Sequence, residues 1–297
     1  MTSDLTAADV LQADLLSKEA ALVAWLRQHG SVLIGFSGGV DSAYLACVAL
    51  DAVGAANVLA VIGRSASYPL EQWTTAREVA ERFGVPVLEV DTDEMGDPRY
   101  AANPVNRCFF CKTELWSKLV PIARERGLAV VVDGSNYDDL ADFRPGARAA
   151  REAGVQSPLA ELRFTKDDIR ALSRVRNIPT WSQPSSPCLS SRLPHGTKVT
   201  PLRPRKVENA ERALRSLGIT GNLRVRYHGE TARIEMDHDQ IERWSAVAQR
   251  PALRAAVKMA GFARVELDLR AFRSGSLNEL MREERADARV LDLMESD

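Results

Sequence analysis

The sequence predicts an α/β protein in which a parallel sheet, covered by helices on both faces, is followed by a small α+β domain. Three observations carry that expectation. Short apolar runs alternate with helical stretches as far as Thr180, the pattern of βαβ units. The segment Trp181-Ser182-Gln183-Pro184-Ser185-Ser186-Pro187 then breaks the alternation with more Pro and Ser than a regular element tolerates. The 297 residues suffice for two cores at about 150 residues each.

Leu11, Leu15, Leu16, Leu22, Val23 and Leu26 recur at helical spacing before Gly30 and predict a helix over 7–29. Ser31–Phe36 reads as a fully buried strand, and Asp41–Leu50 as the helix after it. Val58–Ile62, Val85–Val90 and Leu128–Val132 are the next strands; Pro69–Phe83 and Phe109–Arg126 are the intervening helices. Beyond Pro204 the sequence predicts a helix at Val207–Leu217, strands at Leu223–Tyr227 and Ala232–Met236 around Gly229, helical segments over Gln240–Ala260, and a strand at Arg264–Leu269. The charged stretch Asn278–Asp297 reads as a terminal helix. The expected division is 1–195 and 196–297.

Hydrophobic residues at 45% and charged residues at 27% are close to globular averages and exclude a disordered or fibrous chain. Lys+Arg 39 against Asp+Glu 40 leaves −1, which excludes a global basic field for nonspecific nucleic-acid binding. Four cysteines are too few for a disulfide scaffold. The start MTSDLTAADV lacks the basic and apolar regions of a leader, and no apolar run is long enough to span a membrane. A cytoplasmic protein in a reducing compartment is expected, where closely spaced cysteines more often mean metal or redox chemistry.

Ser37-Gly38-Gly39-Val40-Asp41-Ser42 stands between the first buried strand and a helix, the place of a phosphate loop. Two glycines let the backbone approach an anion. Successive N–H groups and the helix N-terminus supply positive partial charge, and the hydroxyls add donors. Neither GxxxxGK[ST] nor GxGxxG occurs here, so a Walker NTPase and a Rossmann dehydrogenase do not fit.

Cys108-Phe109-Phe110-Cys111 is a CxxC between Arg107 and Lys112, and Cys188 follows far downstream. Alone, a CxxC fits a thioredoxin-type redox pair, half of a zinc site, or two thiols with no role. The thioredoxin motif follows the first strand of its fold, whereas this one follows the third. The histidines (29, 195, 228 and 238) make no pair at zinc spacing, although His195 could join Cys188. Three thiolates without a fourth fit an iron–sulfur cluster with one open iron, four cysteines being the usual case. Cys47, on the helix behind the loop, reads as a packing thiol.

SGGVDS in this position resembles the pyrophosphate-loop ATPase motif of the adenine nucleotide α-hydrolase-like (HUP) superfamily. That resemblance implies cleavage of ATP between its α- and β-phosphates and adenylation of a substrate. Ser37, Gly38, Gly39, Val40 and Ser42 would surround the phosphates, Asp41 would place Mg²⁺ or the phosphates, and Gly63-Arg64-Ser65 would lie beside the adenosine. The run Asn103-Pro104-Val105-Asn106-Arg107-Cys108-Phe109-Phe110-Cys111-Lys112 joins Asp133-Gly134-Ser135-Asn136, Arg144-Pro145-Gly146, Ser157-Pro158-Leu159, Pro187-Cys188-Leu189-Ser190-Ser191-Arg192 and Arg273-Ser274-Gly275-Ser276. Together they resemble the LarE family, ATP-dependent sulfur transferases that make the nickel-pincer nucleotide cofactor of lactate racemase.

The family resemblance implies adenylation of a carboxylate of pyridinium-3,5-biscarboxylic acid mononucleotide, then replacement of AMP by sulfur. Residues 1–195 would bind ATP, with Gly134 beside the nucleotide, and 196–297 would form the substrate side. In one branch the cysteine matching Cys188 gives up its own sulfur and becomes dehydroalanine. In the other, three cysteines hold a [4Fe-4S] cluster whose open iron carries a sulfide. Cys108, Cys111 and Cys188 place this chain in the second branch by resemblance. A symmetric homo-oligomer is implied too, and a sulfur-donor protein is one candidate partner beside sulfide and persulfide.

From Arg192 to Arg226 stand nine cations and two acids, a net of +7. A tRNA, the substrate of some pyrophosphate-loop thiolases, and a mononucleotide bearing two carboxylates and a phosphate are its two candidate partners. Arg224 and Arg226, two apart on a strand, share a face. In the family the positions of Arg224, Arg226 and Glu235 belong to the substrate or phosphate site, Arg192 is expected to bind substrate beside them, and Glu211 is a looser addition. Ala271-Phe272 stands where relatives often have Gly-Tyr, a departure on the substrate side. The competing functions are a tRNA thiolase and a non-catalytic zinc- or nucleotide-binding regulator.

Overall fold

A computed structural model describes residues 7–141, 144–272 and 290–294. Its contacts divide the chain into two compact units. The first comprises Met1–Ser65, Leu70–Asp97 and Asn106–Ser186; the second comprises Ala66–Pro69, Pro98–Val105 and Pro187–Asp297. Residues 187–195, which composition placed ahead of a boundary at 195/196, group with the second unit. The cause is local: the Leu189 N–H donates to the Ser67 carbonyl at 2.8 Å and Asn103 Nδ2 donates to the Pro194 carbonyl at 2.7 Å.

The first unit contains α1 (Ala7–His29), β1 (Val32–Gly35), α2 (Val40–Val53), β2 (Val58–Arg64), α3 (Leu70–Phe83) and β3 (Val87–Asp91). The single turn α4 (Pro98–Ala101) belongs to the second unit. The first resumes with α5 (Arg107–Glu125), β4 (Val130–Val132), α6 (Pro145–Glu152), α7 (Pro158–Glu161) and α8 (Lys166–Val175). The strands pair in parallel in the order β3-β2-β1-β4. Leu33, Leu59, Val61 and Val131 pack beneath Trp116 and Leu119 of α5 and Ala149 and Ala150 of α6. On the other side α2 is buried along most of its length against β1, β2, α1 and α8. The third strand begins later than its apolar run, because the Val85 N–H bonds the Ala80 carbonyl at the end of α3.

The sheet runs outward from β1 to β2 and β3, then returns to place β4 on the other side of β1. The order therefore reverses between β1 and β4, and in open α/β sheets ligands bind beyond the carboxyl ends of the strands at that reversal.

In the second unit come α9 (Leu202–Ser216), β5 (Leu223–His228), β6 (Thr231–Met236), α10 (His238–Trp244), α11 (Arg250–Met259), β7 (Arg264–Asp268) and β8 (Val290–Asp292). The sheet order is β5-β6-β7-β8, with β6 and β7 parallel and the outer pairs antiparallel. The expectation of a terminal helix fails where it can be compared. Val290–Asp292 forms a strand whose Leu291 sits opposite Leu267, covering backbone groups that β7 would otherwise leave unpaired. Residues 278–289 and Arg273-Ser274-Gly275-Ser276 lie outside the described residues. Among those described, no helix is long and apolar enough to cross a membrane.

Candidate active site

The first unit gathers Ser37, Gly38, Gly39, Val40, Asp41, Ser42 and Gly134 at the reversal point. The Phe36 N–H still bonds across to Val61, and the chain then turns through Gly38 at φ +69 into α2. A Cβ at Gly38 would lie 2.5 Å from that of Ala76 on α3, so space and backbone angle both demand glycine. Ser42 ties the turn together: Ser37 N donates to its Oγ at 3.2 Å, and that Oγ lies 3.1 Å from Ser37 Oγ and 3.2 Å from the Gly39 carbonyl. From behind, Gln72 Nε2 donates to the Ser37 carbonyl at 3.0 Å. Gly134, just after β4, meets the same loop; a Cβ there would lie 3.0 Å from Ser42 N.

Asp41 is in the first turn of α2, where its oxygens find a cation and an amide. Lys166 Nζ lies 2.5 Å from Oδ2, and Asn136 Nδ2 donates to Oδ1 at 3.3 Å. Lys166 is placed by the capping box that opens α8: the Asp168 N–H donates to Thr165 Oγ1 at 3.2 Å, and the Thr165 N–H to Asp168 Oδ2 at 2.9 Å. Beside them, burial pushes Asp139 above the ordinary aspartate range, with Asp41 adding to the rise, even though Arg144 pairs with it at 2.7 Å. Lys166, Gln72 and Asp139 were not read from the sequence, and Asn136 entered only as part of a family motif. A capping-box signature, Thr165-Lys166-Asp167-Asp168, was available for the first of them.

Ser65 follows directly on β2, at the carboxyl edge of the sheet. Cys108 and Cys111 lie one turn apart at the start of α5, the first exposed and the second half-buried. The surroundings are cationic and aromatic: the Arg148 guanidinium covers Phe109 at 5.0 Å and Lys112 Nζ lies over Trp116 at 5.3 Å. A Cβ at Gly146 would lie 3.0 Å from Lys112 Cγ, which explains the glycine where α6 crosses this turn. Cys47, by contrast, is buried within α2, and burial pushes its thiol up to about 12, as its reading as a packing residue requires.

The second unit holds Cys188, half-buried, at the head of the turn Leu189–Arg192. Arg192, 2% exposed, donates from Nη1 to the Pro187 carbonyl at 2.5 Å and the Cys188 carbonyl at 3.1 Å. Its Nε and Nη2 fork onto Glu211 at 3.0 and 3.2 Å, and Glu211 also accepts the Val225 N–H at 2.9 Å. Arg226 donates to the Ser191 carbonyl at 3.0 Å and pairs with Glu235 at 2.8 Å. Arg224 donates to the Leu223 carbonyl and lies 5.2 Å over Phe272. Burial, with Arg192 nearby, lowers it to about 10. Arg192, Arg224, Arg226 and Glu235, all buried, thus cluster with the half-buried Glu211 under the Cys188 turn. Among the described residues, no group of three or more His, Cys, Asp or Glu is placed to hold a metal ion.

The NAD synthase family model matches residues 21–102, the stretch from α1 through the phosphate loop to β3 and beyond. The pyridinium-3,5-bisthiocarboxylic acid mononucleotide synthase of Lactiplantibacillus plantarum is 37% identical over 269 residues, covering 91% of this chain and 96% of that protein. The chain belongs to the LarE family. A second relative, an uncharacterized protein of Synechocystis, is 42% identical over 267 residues, covering 90% of this chain and 99% of its own length. Among solved structures, the NMN synthetase of Francisella tularensis aligns with a TM-score of 0.46 and 18% identity over 58% of this chain and 75% of that one. The LarE assignment agrees with the parallel sheet of the adenine nucleotide α-hydrolase-like type, its phosphate loop at the reversal point and the small second sheet domain.

Proposed function

We propose that the protein is an ATP-dependent sulfur transferase acting on pyridinium-3,5-biscarboxylic acid mononucleotide. The observation that carries the reading is near full-length similarity to a protein named for the bisthiocarboxylic product. A formed phosphate loop with Asp41 and Lys166 beside it supports the same chemistry. A carboxylate oxygen of the substrate attacks the α-phosphorus of ATP and pyrophosphate leaves. A sulfur nucleophile then adds to the carbonyl carbon, and AMP departs with the original carboxylate oxygen, leaving a thiocarboxylate or thioester. Loop N–H groups and the α2 N-terminus bind the phosphates; Asp41 would hold Mg²⁺, which would neutralise phosphate charge, and Lys166 beside it would add a positive charge for a phosphate oxygen. Ser65 and Gly134 flank the nucleotide. Arg224, with Arg192, Arg226 and Glu235 around it, supplies the positive field for the phosphate and carboxylates of the substrate.

Two thiols at the first turn of α5 have the soft-donor chemistry and the helix-terminal positive charge that favour thiolate binding of iron, with Cys188 as third ligand. A [4Fe-4S] cluster would supply sulfide at an open iron. If Cys188 is itself the donor, its thiolate forms the thioester, a base removes its Cα proton, and the Cβ–S bond breaks to give thiocarboxylate and dehydroalanine. The partners in this reading are the small-molecule substrate, a second copy of the chain and a sulfur-donor protein, in the reducing cytoplasm. Incubation of anaerobically purified protein with ATP and the mononucleotide tests it: AMP, pyrophosphate and a thiocarboxylate are expected only with that substrate. AMP release driven by tRNA instead overturns it. Iron and sulfide analysis, with intact mass of the spent enzyme, separates cluster from sacrificial cysteine.

A further inference from the structure

The turn carrying Cys188 rests on three hydroxyls that neither adenylation nor sulfur chemistry uses. Ser67 Oγ lies 2.8 Å from Tyr100 OH and 2.7 Å from Ser190 Oγ, and Tyr100 OH lies 2.8 Å from Ser190 Oγ. Each hydroxyl has one proton, so a closed ring lets every member donate once and accept once. The three residues are 2%, 1% and 0% exposed.

The chain brings this ring together from three distant places. Ser67 follows β2, Tyr100 is in α4 after β3, and Ser190 is two residues beyond Cys188. Backbone bonds reinforce it: the Leu189 N–H, next to Cys188, donates to the Ser67 carbonyl at 2.8 Å. Asn103, held at φ +55, donates to the Pro194 carbonyl at 2.7 Å and accepts the Gly196 N–H at 2.9 Å. Three buried hydroxyls are a poor way to gain stability, since apolar groups of the same shape would pack about as well. What a ring adds is direction, because hydrogen bonds weaken steeply off-angle and hold a turn to one geometry.

We propose that Ser67, Tyr100 and Ser190 are positioning residues that hold Cys188 in register for the sulfur-transfer step, an inference that rests on the role assigned to Cys188 above. Attack on an acyl-adenylate, or ligation of a cluster, requires the sulfur within a few tenths of an ångström of its productive place. None of the three touches substrate in this account.

The test is alkylation of the metal-free, reduced full-length chain by iodoacetamide, read at each cysteine by peptide mass spectrometry. Tyr100→Phe removes one hydroxyl and keeps the ring volume; Ser190→Ala removes another from the turn itself. Both variants are expected to raise the rate at Cys188 roughly three- to tenfold, the factor one hydrogen bond is worth, while buried Cys47 stays unreactive. In turnover, kcat for thiocarboxylate falls with KM for ATP and the mononucleotide unchanged. An unchanged rate at Cys188 in both variants overturns the proposal. So does a rise shared by Cys47, which marks global loosening. Wild-type protein that releases no AMP with ATP and the mononucleotide defeats the functional reading instead, and leaves the alkylation result to stand or fall by itself.

Discussion

The phosphate loop of the first unit and the Cys188 turn of the second are fixed in opposite ways. Ser37–Ser42 is held by uncharged groups: the Ser42 hydroxyl, the Gln72 amide and the glycine packed on Ala76. The Cys188 turn presents a side chain, and its backbone carbonyls are tied down by Arg192 and Arg226, themselves anchored on Glu211 and Glu235. An anion cradle binds through backbone N–H groups and a helix N-terminus, so uncharged groups and shape hold it. A thiol support has no such constraint, and buried guanidinium–carboxylate pairs can lock its backbone.

The comparison is sharpened most by removing the presented group. Cys188→Ala should cut thiocarboxylate formation by at least ~1000-fold while substrate-dependent pyrophosphate release persists through the first turnover; chromatography of both products checks it. Gly38→Ala attacks the first loop through shape. The positive φ and the clash with Ala76 should cost about 2–4 kcal/mol in denaturant unfolding and abolish ATP binding measured by calorimetry. Glu211→Gln attacks the second loop through charge. It leaves the Arg192 guanidinium buried without an anion, and about 3 kcal/mol of stability should be lost.

The smallest effect is pH dependence. Burial, with Arg233 adding, lowers His228 below its ordinary 6.5, so the folded protein holds it neutral while the unfolded chain takes up a proton. Stability is therefore complete above 6.5 and lost as pH falls from there towards the folded value. His228→Gln should flatten the fall in stability between neutral pH and mild acid, followed by chemical denaturation at several pH values.

Much of this site was legible in the sequence because its signals are local. SGGVDS is six adjacent residues between a strand and a helix, and β1, β4 and most of β2 are continuous apolar runs. Lys166 was missed because it reaches Asp41 from 125 residues away, with only the capping box at Thr165 to mark its helix. The segments 66–69 and 98–105 carry no composition signal; they join the second unit through several hydrogen bonds to residues 189–199. Val290–Asp292 looked helical from its charged flanks, and an open sheet edge overrode that propensity.

The central claim is transfer of a carboxylate oxygen to AMP followed by sulfur in its place. The direct measurement supplies the mononucleotide with heavy oxygen in its carboxylates and analyses the products of a single turnover by mass spectrometry. The account predicts one heavy oxygen in AMP, none in pyrophosphate, and one oxygen replaced by sulfur in the substrate. AMP free of label, or label in pyrophosphate, would contradict it.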